Sequence, residues 1–165
     1  MRILIAEDWW ADRIRFELLL NSPNVEIQFA WDATLGGRGA VWPPERIARE
    51  ARAYDRVLLD LAWNIDEEVS AREMLELETA ALQAEASSVE KRLGGLRTLA
   101  VAASSAHGIE ALDTSKWVIV TAYKSDPIRT FCWKRWGVSG VFHKWTDDRV
   151  LYTLLVRDPL RAHVK

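Results

Sequence analysis

The sequence predicts a doubly wound α/β domain, in which helices cover both faces of one parallel sheet. Five short apolar runs alternate along the chain with segments of helical periodicity. Most of these runs are continuously apolar, which is typical of strands buried on both faces. Strands that alternate with helices form parallel sheets, so we expect five β/α repeats.

The predicted strands are residues 2–6, 25–30, 56–61, 117–121 and 140–143. Residues 25–30 alternate between apolar and polar, as an edge strand with one exposed face does. The predicted helices are about 11–20, 44–53, 95–106, 127–136 and 146–157. Asp126-Pro127 and residues 146–148 supply the start signals of the last two helices.

Two connections are longer than this plan requires. A crossover between parallel strands takes about 20–25 residues, but 56 residues separate Asp60 from Trp117. Residues 66–93 explain the surplus as a helical arm, with acids in the first turn, Lys91 and Arg92 in the last, and glycines after it. The second insertion, 33–44, is rich in glycine and proline and is expected to be a loop.

Composition places the chain among ordinary soluble globular domains. It has 165 residues, 49% hydrophobic and 28% charged, with a formal net charge of −2. We expect a single domain, 1–165, with insertions at about 33–44 and 65–93. The near-neutral charge argues against binding nucleic acid or acidic membranes. No apolar run approaches membrane-spanning length, and the lone Cys132 fits a reducing, cytoplasmic location.

Three carboxylates follow two of the predicted strands. Glu7 and Asp8 come after the first strand, and Asp60 ends the third. If the strand order is 2-1-3-4-5, these two strands are neighbours and the three acids converge at the carboxyl edge of the sheet. Clustered carboxylates repel one another unless a cation neutralises them, and an all-oxygen set suits Mg²⁺.

A hydroxyl and an ammonium belong to the same edge. Thr121 ends the fourth strand, and Lys144 follows the fifth. Phosphoryl transfer depends mainly on positioning and on neutralising charge. A carboxylate nucleophile with Mg²⁺, a hydroxyl and a lysine is therefore suited to accepting a phosphoryl group.

Five segments, in order, resemble the receiver domains of bacterial two-component response regulators. They are similar to the first strand with its acidic pair, the strand of the phosphorylated aspartate, the start of the third helix, the fourth strand with its hydroxyl, and the last turn, strand and lysine. The segments are residues 3–8, 54–61, 94–99, 118–122 and 136–144. The resemblance covers nearly the whole chain except 33–44 and 65–93, and implies a flavodoxin-like fold.

The resemblance also implies the roles of the acidic residues. Asp60 is expected to be the phospho-acceptor. Asp8 and Asp60 are expected to bind Mg²⁺ directly, and Glu7 through a water molecule. The backbone carbonyl of Ala62 is expected to supply a further ligand.

By the same resemblance, Lys144 pairs with one phosphoryl oxygen and Thr121 hydrogen-bonds another. Three positions depart from the family pattern. Residues 62–64 replace a Met-Pro-like turn, Trp145 stands where proline commonly follows the lysine, and Val141 replaces the switch aromatic. These departures affect the usual signal output more than they affect the phosphorylation chemistry.

The implied function is a phospho-accepting signalling domain, whose only catalysis is its own phosphorylation and hydrolysis of the aspartyl phosphate. The implied donor is a sensor histidine kinase or a phosphotransfer protein. Signalling is expected through a protein partner at the active-site edge or at the 66–93 helix, or through a homodimer. The alternative is a pseudo-receiver, an interaction module that phosphorylation does not regulate. A Mg²⁺-dependent phosphatase or nuclease is disfavoured, because residue 62 is alanine rather than a second acid.

The chain is unusually rich in tryptophan, with nine residues. Trp9, Trp10, Trp63 and Trp145 lie beside the predicted site, where they form either a lid over the metal or an apolar docking patch. Four other tryptophans are expected to pack in the core or on helix faces: Trp31, Trp117, Trp133 and Trp136.

Overall fold

Five parallel strands form the central sheet of the computed structural model. The structure describes residues 1–35, 39–61, 63, 94–104, 111–122, 126–146 and 148–157. Its strands are β1 (Arg2–Ala6), β2 (Glu26–Phe29), β3 (Trp31–Asp32), β4 (Ala40–Val41), β5 (Arg56–Leu59), β6 (Trp117–Thr121) and β7 (Gly140–His143). The sheet order is β2-β1-β5-β6-β7, and every pairing within it is parallel.

The predicted fold class is confirmed. With the β3–β4 hairpin set aside, the strand order is 2-1-3-4-5, and each strand overlaps one of the five apolar runs. The alternating run forms β2 at the edge of the sheet, where exposed and half-buried residues alternate. From β1 the chain adds β2 on one side, and it then adds β5, β6 and β7 on the other side. The switch point of the sheet therefore lies between β1 and β5.

Helices follow the strands in the expected alternation. They are α1 (Trp10–Leu19), α2 (Pro44–Glu50), α3 (Gly94–Ala103), α4 (Asp126–Trp136) and α5 (Asp148–Tyr152), the last continued by a π-helical stretch at Thr153–Arg157. Proline at the first position of α2 needs no hydrogen-bond partner there, which fixes where that helix begins. Within the described ranges, no helix is both long and apolar enough to cross a membrane.

The continuous apolar strands are explained by two cores, one on each face of the sheet. Along β1, Leu4 faces one core, whereas Ile3 and Ile5 face the other. The first core includes residues of α2, α3 and α4, and the second includes Phe16 of α1 and Leu151 of α5. Because successive side chains point to opposite faces of a strand, both faces can be buried only if every position is apolar.

The 33–44 segment contains more structure than the expected loop. Ala40–Val41 forms β4, which pairs antiparallel with Trp31–Asp32 of β3. The Arg13 guanidinium of α1 lies over the Trp31 ring, 3.8 Å from its centroid. Residues 36–38 lie outside the described residues.

The expected helical arm at 65–93 lies outside the described residues. The chain on either side of it is described, and the two ends adjoin. Gly95 N donates to the Leu61 carbonyl at 3.0 Å. A Cβ on Gly94 would lie 2.4 Å from Nε1 of Trp63, so this backbone packs directly against the indole.

Because these ends meet, the intervening chain can be shortened without stretching the sheet. Replacement of 66–93 by a short Gly/Ser linker should leave a folded domain, and closing a shorter loop costs little entropy. Circular dichroism and thermal melting should show native secondary structure and a cooperative transition. Loss of the cooperative transition would show that residues 66–93 belong to the core.

Candidate functional site

The pairing of β1 with β5 places Glu7 and Asp60 side by side. Ala6 is in register with Leu59, so Glu7 and Asp60 are the next residues on adjacent strands. The Asp60 amide extends the pairing by donating to the Ala6 carbonyl at 3.0 Å. Both side chains are buried, with Glu7 2% and Asp60 5% exposed. The site therefore lies at the switch point of the sheet.

Asp8 completes the acidic cluster that the sequence predicts. Carboxylate oxygens of Glu7, Asp8 and Asp60 all lie within 4.8 Å of one another. Backbone amides orient two of the carboxylates. Trp9 N donates to Glu7 Oε1 at 3.0 Å, and Leu61 N donates to Asp60 Oδ1 at 2.7 Å. This spacing and oxygen chemistry fit a hard divalent cation such as Mg²⁺.

Lys144 reaches into the cluster from the turn after β7. Its Nζ lies 2.9 Å from Glu7 Oε1 and 3.2 Å from Asp60 Oδ2. A fourth carboxylate, Asp12 of α1, lies 3.2 Å from the same Nζ. One buried ammonium thus contacts three carboxylates, so the site retains excess negative charge when all of its acids are ionised.

The protonation of the cluster reflects this burial. Desolvation raises the pKa of Glu7 to about 8, and the charge of Asp60 adds to the rise. Desolvation likewise raises the pKa of Asp60 to about 7, because Lys144 only partly offsets the cost of burying the charge. Burial alone would lower the pKa of Lys144, but the carboxylates of Asp60, Glu7 and Asp12 hold it above its usual value.

Of the two remaining predicted site residues, the structure describes Thr121 but not Ala62. Thr121 is buried at the end of β6, and its carbonyl accepts the backbone amide of Lys144 at 2.8 Å. The hydroxyl residue and the lysine are thereby tied together at the carboxyl edge. Ala62, the expected carbonyl ligand, lies outside the described residues.

Two residues of α1 were missed by sequence analysis. Asp12 contacts the Lys144 ammonium, and Arg15 donates hydrogen bonds to the turn that carries Lys144. Asp12 lies in the first turn of α1 and Arg15 in the second, and the rotation of this helix about its axis decides which face meets the site. The only available signal was their spacing of three, which places them on one helix face.

A close backbone approach fixes the turn that presents Asp60. A Cβ built on Gly95 would lie 2.1 Å from the Asp60 carbonyl oxygen and 2.6 Å from Leu61 Cα. No side chain fits in that space, since real Cβ contacts are far longer. Gly95 therefore lets α3 begin directly against the backbone of Asp60 and Leu61.

The tryptophans near the site divide into two groups. Trp63 is buried and belongs to the core that also contains α3. Trp9, Trp10 and Trp145 are 54%, 62% and 78% exposed. Trp133, expected to pack in the core or on a helix face, is exposed on α4, so that expectation is wrong.

Comparisons with known proteins support the fold assignment through structure. The sequence matches neither a protein-family model nor a curated protein. The structure is similar to the N-terminal domain of a response regulator/sensory box/GGDEF three-domain protein from Carboxydothermus hydrogenoformans. That match has a TM-score of 0.51 at 15% identity and covers 94% of this chain and 90% of that chain.

A second solved structure gives the same result. It is the signal receiver domain of a modulated diguanylate cyclase from Desulfovibrio desulfuricans, with a TM-score of 0.51 at 16% identity, covering 92% of this chain and 86% of that chain. At these identities the likeness establishes the fold alone. The chain therefore has the fold of a response-regulator receiver domain.

Gly95→Ala should destabilise the protein, although alanine is normally favoured over glycine in a helix by about 1 kcal/mol. The added methyl group must displace the Asp60 carbonyl, and overpacking of this kind costs about 1–3 kcal/mol. Urea denaturation measures the change. Gly94→Ala is the matched comparison and should cost less, because the three atoms nearest to its Cβ belong to the Trp63 side chain rather than to the backbone. Equal losses would contradict the role of the Asp60 carbonyl.

Asp60→Asn should stabilise the metal-free protein, and by more at pH 8 than at pH 5. The pKa of Asp60 is raised on folding to about 7, so its contribution to stability is present below its unfolded pKa of about 4 and is lost as the pH rises through 7. Asparagine is neutral throughout and suffers no such loss. The expected gain at pH 8 is on the order of 1–3 kcal/mol.

The control for this pH dependence is Asp32→Asn. Hydrogen bonds from Thr34 lower the pKa of Asp32, so its substitution should not stabilise the protein at pH 8. Urea denaturation of each variant at pH 5 and pH 8, in the presence of a chelator, separates the two effects. Parallel pH profiles for the wild type and Asp60→Asn would show that Asp60 is not held protonated by burial.

Proposed function

We propose that the protein is a phospho-accepting receiver domain that uses Mg²⁺ and signals through protein partners. The observation that carries this proposal is the position of Asp60. Its carboxylate lies at the switch point of a receiver fold, 3.2 Å from the Lys144 ammonium and within 4.8 Å of two further carboxylates. A candidate nucleophile, an ammonium that could bind an anion, and two further candidate metal ligands therefore lie close together.

Asp60 is the best-placed acceptor among the acids of the cluster. The Leu61 amide holds Oδ1, and Oδ2 faces Lys144. In the proposed reaction, a carboxylate oxygen of Asp60 forms a bond to phosphorus, while the bond from phosphorus to the donor breaks. The leaving group departs with that electron pair, and Lys144 neutralises charge on a phosphoryl oxygen.

The donor set fits Mg²⁺ in number and in chemistry. Asp8 and Asp60 would hold the ion directly, Glu7 would hold it through water, and the carbonyl of Ala62 is the further proposed ligand. When bound, the ion supplies positive charge to the oxygens of the transferring group. Burial favours the protonated forms of Glu7 and Asp60, whereas a divalent cation bound beside them would favour their ionised forms.

Thr121 and Val141 bear on how the phosphorylated state is recognised. The Thr121 carbonyl is tied to the Lys144 amide, so we propose that its hydroxyl hydrogen-bonds a phosphoryl oxygen on the same edge. Val141 occupies the place of the switch aromatic and packs against the core. We therefore propose that signalling proceeds through partner binding at the active-site edge or at residues 66–93, or through a homodimer, with a sensor histidine kinase or phosphotransfer protein as the donor.

The second candidate is a pseudo-receiver that acts as an interaction module. The ion pairs of Lys144 favour it, because the ammonium already neutralises part of the charge on Glu7, Asp12 and Asp60. A site that is satisfied in this way has less need of a metal than one with unpaired acids. The two candidates differ in whether Asp60 accepts phosphate.

Incubation with a small phosphodonor should label the wild-type protein only when Mg²⁺ is present. Asp60→Asn should abolish the label, because an amide oxygen is a poor nucleophile of nearly the same volume as the carboxylate. Asp12→Asn is the matched control and should retain it, since Asp12 contacts Lys144 but is not a proposed acceptor. Base-labile incorporation measured by mass spectrometry reports the aspartyl phosphate.

Persistent labelling of Asp60→Asn would place the nucleophile elsewhere. A wild-type protein that neither takes up phosphate nor gains thermal stability in millimolar Mg²⁺ would instead identify the pseudo-receiver. Binding of a ligand to the native state alone must raise the melting temperature, so the metal arm of the test is independent of the donor. Trp9 and Trp63 flank the acids and provide a fluorescence signal for the same titration.

A further inference from the structure

One side chain of α1 holds the turn that follows β7. The Arg15 guanidinium donates from Nη1 to the Lys144 carbonyl and from Nη2 to the Thr146 carbonyl at 3.0 Å. Its Nε also donates to the Asp148 carboxylate at 2.9 Å. The Arg15 side chain is 24% exposed and that of Asp148 is 53% exposed, so the two bonds to carbonyls are partly buried and the bond to the carboxylate is exposed to solvent. A single planar group thus joins two carbonyls of the turn to the first residue of α5.

The sheet holds the other side of the same turn. The Lys144 amide donates to the Thr121 carbonyl, and the Thr146 amide donates to the His143 carbonyl, each at 2.8 Å. The Trp145 side chain adds little burial, because it is 78% exposed and contacts the His143 ring. The Lys144 backbone is therefore fixed by strand pairing on its amide and by Arg15 on its carbonyl.

Helix α1 also meets the far end of the lysine. Asp12 lies one turn before Arg15, and its carboxylate contacts the Lys144 ammonium at 3.2 Å. We propose that Arg15 is a positioning residue for Lys144, fixing the backbone from which the ammonium reaches Glu7 and Asp60. The kinetic consequence of this inference rests on the proposed function, whereas the positioning itself is a property of the turn.

The chemistry of arginine explains why this position would require it. Lysine at 144 has a long flexible stem, so its ammonium is placed accurately only if its backbone is fixed. The guanidinium offers several donors in a rigid plane and can serve two carbonyls and a carboxylate together, whereas an ammonium is a compact point charge. A displacement of about 1 Å in a reacting group can cost about 100-fold in rate.

The test compares Arg15→Ala with Arg13→Ala, which removes a neighbouring guanidinium that lies over Trp31 instead. With acetyl phosphate and saturating Mg²⁺, Arg15→Ala should phosphorylate Asp60 at least about tenfold more slowly than the wild type. Its dissociation constant for Mg²⁺, from tryptophan fluorescence, should stay within about twofold, because the three metal-binding acids remain. Arg13→Ala should match the wild type in both measurements.

Arg15→Lys distinguishes the hydrogen-bond geometry of the guanidinium from its positive charge. It should remain slow, because an ammonium cannot bridge all three acceptors. Full activity of Arg15→Lys would show that positive charge suffices, and would overturn the assignment. An equal loss of phosphorylation rate and Mg²⁺ affinity in Arg15→Ala would identify a general structural role and overturn it as well.

Amide hydrogen exchange distinguishes failure of this inference from failure of the proposed function. Arg15→Ala should exchange faster at the amides of Lys144 and Thr146, whereas amides of β1 should keep their wild-type protection. If the wild type accepts no phosphate, the proposed function fails, and the exchange measurement still decides whether Arg15 holds the turn. Unchanged protection at both turn amides would overturn the inference.

Discussion

The site depends on the ion pairs between the buried ammonium of Lys144 and three carboxylates. The ammonium lies within 3.2 Å of Glu7, Asp12 and Asp60, which come from two separate parts of the chain. Removal of such a partner leaves uncompensated charge in a buried site, which costs far more than the loss of a surface ion pair. The sheet, α1 and the turn after β7 must therefore meet accurately for the acids to coexist.

The same ion pairs link stability to function. The site holds more carboxylates than cations, and burial raises the pKa of both Glu7 and Asp60. An arrangement that is only partly neutralised has a physical reason to bind a divalent cation, which would offset the surplus negative charge. Under the proposed function, that cation and Lys144 would also offset the charge of an incoming phosphoryl group. Perturbed carboxyl groups at the switch point of a parallel sheet are typical of functional sites rather than of packing.

Much of this arrangement follows from sequence, because it depends on strand order and strand ends. The apolar runs fix β1 and β5, and the residues after them, Glu7 and Asp60, can only emerge at one edge. Asp12 and Arg15 could not be assigned in this way, because their contacts with the Lys144 turn depend on how α1 is rotated and seated. The β3–β4 hairpin has two residues in each strand, too few to produce a periodic pattern.

Access to Asp60 is shaped by where the surplus chain attaches. Gly95 N bonds to the Leu61 carbonyl, so the described residues on either side of 64–93 adjoin beside the proposed acceptor. The hairpin is likewise inserted between a strand and its following helix, and Arg13 joins it to α1. In a parallel sheet such connections emerge at the carboxyl edge, where the acids lie. Under the proposed function, a protein donor would approach Asp60 past the attachment points of both insertions, whereas a small phosphodonor would need only the cluster itself. Selectivity among donors would then depend on the insertions, and the proposed phosphoryl transfer on the residues at the carboxyl edge of the sheet.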